Sequence, residues 1–268
     1  MSLRGLLVTT IKSASFPIEI VPVLNDNYVY ILHNEKDKLT AVIDPGDPKP
    51  VIKKLDEKKW KLDEIINTHH HSDHIAGNET LKSFYNCKLI APLADKNRIN
   101  EVTDFVSDND TIKLAGFRTK VISTPGHTLG HVAFYSKNAN IIFTGDTLFS
   151  LGCGKIFEGS FEQMFESLEK IKALPRNTMI YCGHEYTKNN SKFCESIDKD
   201  NNKLKDRIAE VNNRIKKNQP TVPITLGEEI ETNIFLRCED KKIKYNLKME
   251  NSSKFEVFKK LRNLKDTF

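Results

Sequence analysis

The chain has 268 residues, 38% of them hydrophobic and 29% charged, with a formal net charge of +5. That length can bury one large core or two modest ones, and no apolar run nears the ~20 residues of a membrane-spanning helix, so a soluble protein without membrane association is expected. The charge is mild, and much of the lysine is interleaved with Asp and Glu, as in KDNNKLKDRIAE (199–210), which reads as a solvated helix face and not a nucleic-acid surface.

Residues 1–17 carry Arg4 and Lys12 and no acid before the first strand pattern, and are expected to form a flexible N-terminal segment, or the remnant of a targeting sequence. PIEIVPVL (17–24) and YVYILHN (28–34) then alternate in strand fashion about the turn-rich triplet Asn25-Asp26-Asn27, which predicts a β-hairpin. LTAVIDPGD (39–47) is an apolar strand stopped by Pro45 and Gly46, and PKPVIKKLDEKKW (48–60) a first helix. DEIINTHH (63–70) reads as a strand running into a histidine cluster, and IAGNETLKSFYN (75–86) as one short helix. KLIAP, DTIKLAG, FRTKVIST, HVAFYSK, NIIFTGD and TMIYCG follow as strands up to residue 183, interrupted by the helix FEQMFESLEKIKAL (161–174).

Two runs of strands, each with helices, predict an α+β fold over residues 18–184: two sheets face to face with helices outside, an αββα sandwich. From residue 185 the composition turns to Lys, Asn and Glu with helical spacing of the apolar positions. Residues 187–217 predict one or two long helices and 252–268 a last one, so 185–268 is expected to be an α-helical second domain.

The segment THHHSDH (68–74) sets four histidines and an acid within seven positions, a density for which packing has no use. His69 and His71, one residue apart in extended backbone, point the same way, and Asp73 and His74 follow where a helix begins. His70 falls on the other parity. Further ligands stand at strand ends. His127 follows a Pro-Gly turn, whose glycine permits close backbone approach. Asp146 ends the apolar strand IIFTG, where a buried acid is costly unless paired or metal-bound, and His184 ends MIYCG. His131 reads as a structural hydrogen-bonding residue, and His33 as a surface histidine.

Seven ligands exceed one four-coordinate ion but suit two, with His69, His71 and His127 on one, Asp73, His74 and His184 on the other, and Asp146 bridging. Two such ions acidify a shared water toward neutrality and polarise a carbonyl, which is hydrolytic chemistry. The mixed imidazole and carboxylate set suits zinc, the first candidate for both divalent ions, or iron or manganese. Five cysteines without a CxxC pair are expected to be reduced, in an intracellular and cytoplasmic protein, or an organellar one if the N-terminus is a targeting remnant. Cys153 and Cys182 read as small buried residues.

THHHSDH, TPGHTLGH, FTGDTLF and YCGHEYT resemble blocks of the metallo-β-lactamase superfamily and, within it, of the glyoxalase II (hydroxyacylglutathione hydrolase) family. VPVLNDNYVYIL, LGCGKIFEGS and LRNLKDTF are similar to the same family, and the resemblance spans nearly all of the chain from residue 18. It implies hydrolysis of S-D-lactoylglutathione to D-lactate and glutathione, the second step of methylglyoxal detoxification, by a monomer. It further implies Asp73 and Asp146 as catalytic residues as well as ligands, and Lys155, Tyr186, Arg262 and Lys265 as glutathione contacts. Arg262 and Lys265, three apart on a predicted helix, would share a face and offer two cations to carboxylates. Phe157 stands where the family often has Tyr, so a weaker glutathione contact is expected there. The rival within the superfamily is a glutathione persulfide dioxygenase with a single iron; outside enzymes, it is a binding protein that kept the fold, which should have lost ligands.

Overall fold

The computed structural model describes residues 9–12 and 17–268. Its first sheet runs in chain order through β1 (Thr9–Lys12), β2 (Pro17–Val23), β3 (Asn27–Asn34), β4 (Leu39–Ile43), β5 (Glu64–Ile66), β6 (Lys88–Pro92) and β7 (Asp104–Val106). Neighbours are antiparallel from β1 to β4 and parallel from β4 to β7. The expected hairpin is β2–β3, with Val23 opposite Asn27. Of the segment expected to be flexible, Thr9–Lys12 pairs with β2, and the rest up to residue 16 lies outside the described residues.

The second sheet is built from β8 (Thr111–Leu114), β9 (Phe117–Ser123), β10 (Val132–Ser136) and β11 (Ile141–Gly145). A two-stranded ribbon follows, β12 (Leu148–Phe149) with β13 (Gly152–Cys153), before β14 (Met179–Cys182) and β15 (Ile224–Thr225) extend the sheet beyond β11. The helices are α1 (Pro48–Lys58), α2 (Ser72–Ile75), α3 (Asn78–Tyr85), α4 (Phe161–Lys172), α5 (Thr187–Ile197), α6 (Asn202–Lys216), α7 (Leu226–Thr232), α8 (Lys241–Asn246) and α9 (Lys254–Asp266). None of them is long and apolar enough to cross a membrane.

The period of two along the strands divides the core into layers. Ile18, Ile20, Tyr30, Leu32 and Ile43 face Val121, Phe134, Ile141, Phe143 and Tyr181 across the gap between the sheets. The alternate residues Val21, Val29, Ile31 and Val42 pack outward against Val51 and Leu55 of α1 and Leu81 of α3. On the far side, Ile122, Ala133 and Ile142 meet Met164, Leu168 and Ile171 of α4. The αββα sandwich is therefore the observed fold. Phe193, Phe235, Val257, Phe258 and Leu261 join that last cluster, so the C-terminal helices share a core with the outer face of the second sheet. Burial of each such side chain contributes on the order of 1.5–3 kcal/mol.

Local capping fixes the helix starts. Asp47 caps α1 ahead of Pro48, and Ser160 with Gln163, and Ser253 with Glu256, form capping boxes on α4 and α9. The strand expected over 63–70 stops at Ile66, because the amide of Thr68 donates to Asp44 Oδ1 at 2.7 Å and leaves the ladder. The helix expected over 75–86 begins earlier and is split, with Asp73 and His74 on α2 and Gly77 capping α3. His33 corrects its sequence reading as a surface residue: it is 4% exposed, bonded to Thr40 Oγ1 at 2.9 Å and stacked on Trp60.

Candidate metal centre

The loops at one end of the two sheets bring the predicted ligands together. Ligand atoms of His69, His71 and His127 lie within 4.8 Å of one another, as do those of Asp73, His74 and His184. Asp146 lies between the sets: Oδ2 is 3.4 Å from His127 Nε2 and 3.2 Å from His184 Nε2, and Oδ1 is 3.4 Å from His74 Nε2. This approach needs two residues without side chains. Gly145 has φ of 46°, and a Cβ there would stand 2.5 Å from Thr68 Oγ1; a Cβ on Gly183 would stand 2.3 Å from Asp146 Oδ1.

A ring of acceptors sets the tautomers. His74 Nδ1 donates to Asp44 Oδ2 at 3.1 Å, His184 Nδ1 to Asp26 Oδ1 at 2.8 Å and His127 Nδ1 to the Lys155 carbonyl at 2.8 Å. Thr68 Oγ1 gives its proton to Asp44 and so accepts from His69 Nδ1 at 3.0 Å. In its neutral form each of the four rings then carries its lone pair on Nε2, aimed inward. Asn27 Nδ2 donates to Asp73 Oδ2 at 2.8 Å. His131, as expected, is a structural partner: its Nε2 accepts the Asp146 amide at 3.0 Å, and Nδ1 faces Thr124 Oγ1 at 2.8 Å.

The electrostatics match a cation site. Burial pushes His69 well below the ordinary imidazole range and lowers His71 and His127, which keeps their lone pairs free. Burial works against the charges of Asp146 and Asp73, but His184 and His74 outweigh it and hold both carboxyls well below their usual range. For His74 burial opposes charge, yet Asp146 and Asp44 push it up to about 10, and His184 is raised in the same way. Imidazole nitrogens meet at 3.0 Å (His127 and His71) and 3.2 Å (His74 and His184), while His69 Nε2 and Asp146 Oδ1 are buried without a hydrogen-bond partner. Converging lone pairs and orphaned buried atoms are what divalent metal ions would satisfy, so the residues fit the group. Asp44 also falls within reach of His69 and His74, but its oxygens are occupied by Thr68 and His74, which places it behind the ligands.

His70 turns away from the cluster to Asp95, with Nδ1 3.1 Å from Oδ1. At the mouth, the Phe157 ring is 60% exposed and edge-on to His71 and His127, and Lys155 Nζ lies 5.4 Å over it. Tyr186 stacks on His184 with ring centres 4.7 Å apart. Lys265 Nζ sits over the rings of Phe193 and Phe268. Arg262 corrects the picture of two open cations on one helix face. It is 4% exposed, its Nη1 donates to the Cys153 carbonyl at 2.9 Å, and Nη2 pairs with Asp266 at 2.9 Å. It ties α9 to the segment that precedes Lys155. Cys153 and Cys182 are buried, as read.

Residues 23–184 match the family described as metallo-beta-lactamase superfamily, and residues 185–268 match hydroxyacylglutathione hydrolase C-terminus. A hydroxyacylglutathione hydrolase of Pelagibacter ubique is 50% identical over 94% of this chain and 99% of its own length. The chain belongs to the hydroxyacylglutathione hydrolase family. A second member of this hydroxyacylglutathione hydrolase family, from Methylococcus capsulatus, is 42% identical over 92% of the chain and 97% of its own length. The fold is also that of ETHE1 from Myxococcus xanthus, with a TM-score of 0.64 at 20% identity, covering 97% of this chain and 91% of that one.

Sequence reasoning missed the residues of this hydroxyacylglutathione hydrolase-family chain that hold the ligands: Asp44, Asp26, Asn27 and Thr68. Asp44 ends a buried strand as Asp146 does, and the same cost argument would have found it. Asp26 and Asn27 read only as turn formers, because their partners are 158 and 46 residues away in the chain.

Proposed function

We propose that the protein hydrolyses S-D-lactoylglutathione to D-lactate and glutathione, using two divalent ions, zinc, iron or manganese, held by the two ligand sets. The observation that carries this reading is Asp146, within 3.4 Å of His127 in one set and 3.2 Å of His184 in the other. Bound there, the ions would supply a water acidified to a pKa of about 7 and a Lewis acid for the thioester carbonyl.

The chain's own residues have distinct parts. Asp73, with its side chain 38% exposed and held ionised, is open to solvent and able to accept a hydrogen bond from the attacking water. Asn27 fixes its orientation. Lys155, Phe157, Tyr186 and Lys265 offer ammonium groups and ring faces to the glutathione part, whose carboxylates are anionic. Arg262 holds the 153–154 segment beside them. Departure of glutathione needs no strong general acid, because a thiol of pKa about 8.5 leaves readily as thiolate. A single-iron dioxygenase is the weaker reading, since His184 joins Asp73 and His74 in a complete second set.

Asp146→Asn tests the reading, with metal content and turnover measured on the same sample. A fall in bound metal and a loss of turnover of about 10²-fold or more are expected, because the amide cannot serve two cations. Full metal content with wild-type turnover would show that Asp146 bridges nothing.

A further inference from the structure

Four loops meet beside the metal centre through a polar cluster that contains no candidate ligand. Glu158 is at its middle. Its Oε2 accepts the amide of Leu129 at 2.9 Å, and its Oε1 accepts Arg98 Nη1 at 2.5 Å. The same oxygen is 3.4 Å from His70 Nε2. His70 Nδ1 faces the Asp95 carboxylate at 3.1 Å and so carries the ring proton, which leaves Nε2 to accept from Arg98 at 3.1 Å. Asp95 is 1% exposed, and the 127–131 loop packs tightly on it: a Cβ on Gly130 would lie 2.4 Å from its Oδ1.

The cluster therefore joins residue 70, between two ligands, to residues 95–98, to residue 129 and to residue 158. The backbone does the rest. The amide of Phe157 donates to the His127 carbonyl at 3.2 Å and that of Gly159 to the Gly126 carbonyl at 3.1 Å, while the Lys155 carbonyl receives His127 Nδ1. Residues 155–159 thus lie flat along the 126–129 loop, and Glu158 is the residue whose side chain fastens them at the outer end. Lone exposed ion pairs fix little. This one has a backbone amide on one side and a buried carboxylate behind the histidine on the other.

We propose that Glu158, through Arg98, His70 and the Leu129 amide, is a positioning residue that holds the 155–159 loop so that Lys155 and Phe157 face the glutathione part of the substrate. The inference rests on the glutathione thioester reading above. Glu158 touches neither ligand atoms nor reacting atoms. Its loss is felt in substrate binding, while the candidate ligands keep their partners: Asp44, Asp26, Asn27 and Thr68 lie outside the loop, and the Lys155 carbonyl on His127 is still held by the Phe157 and Gly159 amides. His70, the histidine of THHHSDH that serves no metal set, thereby acquires a purpose.

The experiment uses the metal-loaded full chain and its Glu158→Ala, Glu158→Gln and Arg98→Met variants. KM and kcat are measured on S-D-lactoylglutathione, binding of the thioether S-methylglutathione by calorimetry, and metal content on each sample. Glu158→Ala and Arg98→Met are expected to raise KM and the S-methylglutathione Kd by about 5- to 20-fold, with kcat within about 2-fold and metal content unchanged. Glu158→Gln keeps an acceptor for Leu129 and should recover part of the loss. Should the alanine variant fail to fold, the other two carry the test. Unchanged KM and Kd would overturn the proposal, as would a fall in kcat and metal content with KM unaltered. A wild-type protein that neither cleaves the thioester nor binds S-methylglutathione would instead overturn the glutathione reading, and this inference with it.

Discussion

Asp44 is a carboxylate 4% exposed that accepts three hydrogen bonds, from the Thr68 amide, the Thr68 hydroxyl and His74 Nδ1. It ends β5 by taking the Thr68 amide, and it turns the Nε2 lone pairs of two histidines inward. Both effects follow from one charge that burial forces to find donors. Asp44→Asn keeps the shape but places an amide where the second proton acceptor must be. We expect it to lower metal affinity by about 10- to 100-fold, read by competition with a chelator, with little change in fold. Metal retention equal to wild type would show that Asp44 does not set the His74 tautomer. The residues that converge at the candidate metal centre were legible: HxHxDH density and acids or histidines closing apolar strands are local signals. Asp26, Asn27 and Thr68 were not, since what they do depends on partners that only the fold brings near. Arg262 was legible as a cation on a helix, yet its burial was not, because helical spacing does not say that the Cys153–Gly154 segment and Phe235 will cover that face.

At the scale of elements, α9 is held by its capping box at Ser253 and by Val257, Phe258 and Leu261, all fully buried in the cluster that includes Ile122 and Ile142 of the second sheet. Its apolar spacing announced the helix, as did that of α4, α5 and α6. Elements of two or three residues, such as β7, β12, β13 and β15, carry too few positions for a period to register. Residues 221–250 fold as α7, α8 and short turns whose order comes from Asp240, Asn233 and the Thr225–Glu228 box. Phe258→Ala should cost about 3–5 kcal/mol, the range for truncating a buried phenylalanine. Because the core is shared, the loss should appear as one shifted unfolding transition in calorimetry and not as early melting of a separate C-terminal unit. Two resolved transitions would contradict the shared core.

Over the whole molecule, the αββα order of layers was legible because strands alternate along the chain in two runs. The placement of the C-terminal helices on one sheet was not, since composition does not choose a docking face. The assembled sandwich converts separate strand ends into a single electrostatic unit, and that unit couples stability to pH. In the metal-free chain burial disfavours the charged form of His74, but Asp146 and Asp44 raise its pKa from 6.5 to about 10. A raised pKa in the folded state adds stability below 6.5 that is lost as pH climbs toward 10. Metal-stripped protein should therefore lose Tm across that window, whereas metal-loaded protein, in which the cation takes the place of the proton, should hold its Tm; parallel curves would refute this coupling. The deciding measurement adds S-D-lactoylglutathione to purified protein and determines metal content on the same sample. Cleavage to D-lactate and glutathione with close to two metals per chain is expected; an intact thioester, with one iron per chain and oxygen consumed when glutathione persulfide is supplied, would overturn the hydrolase reading.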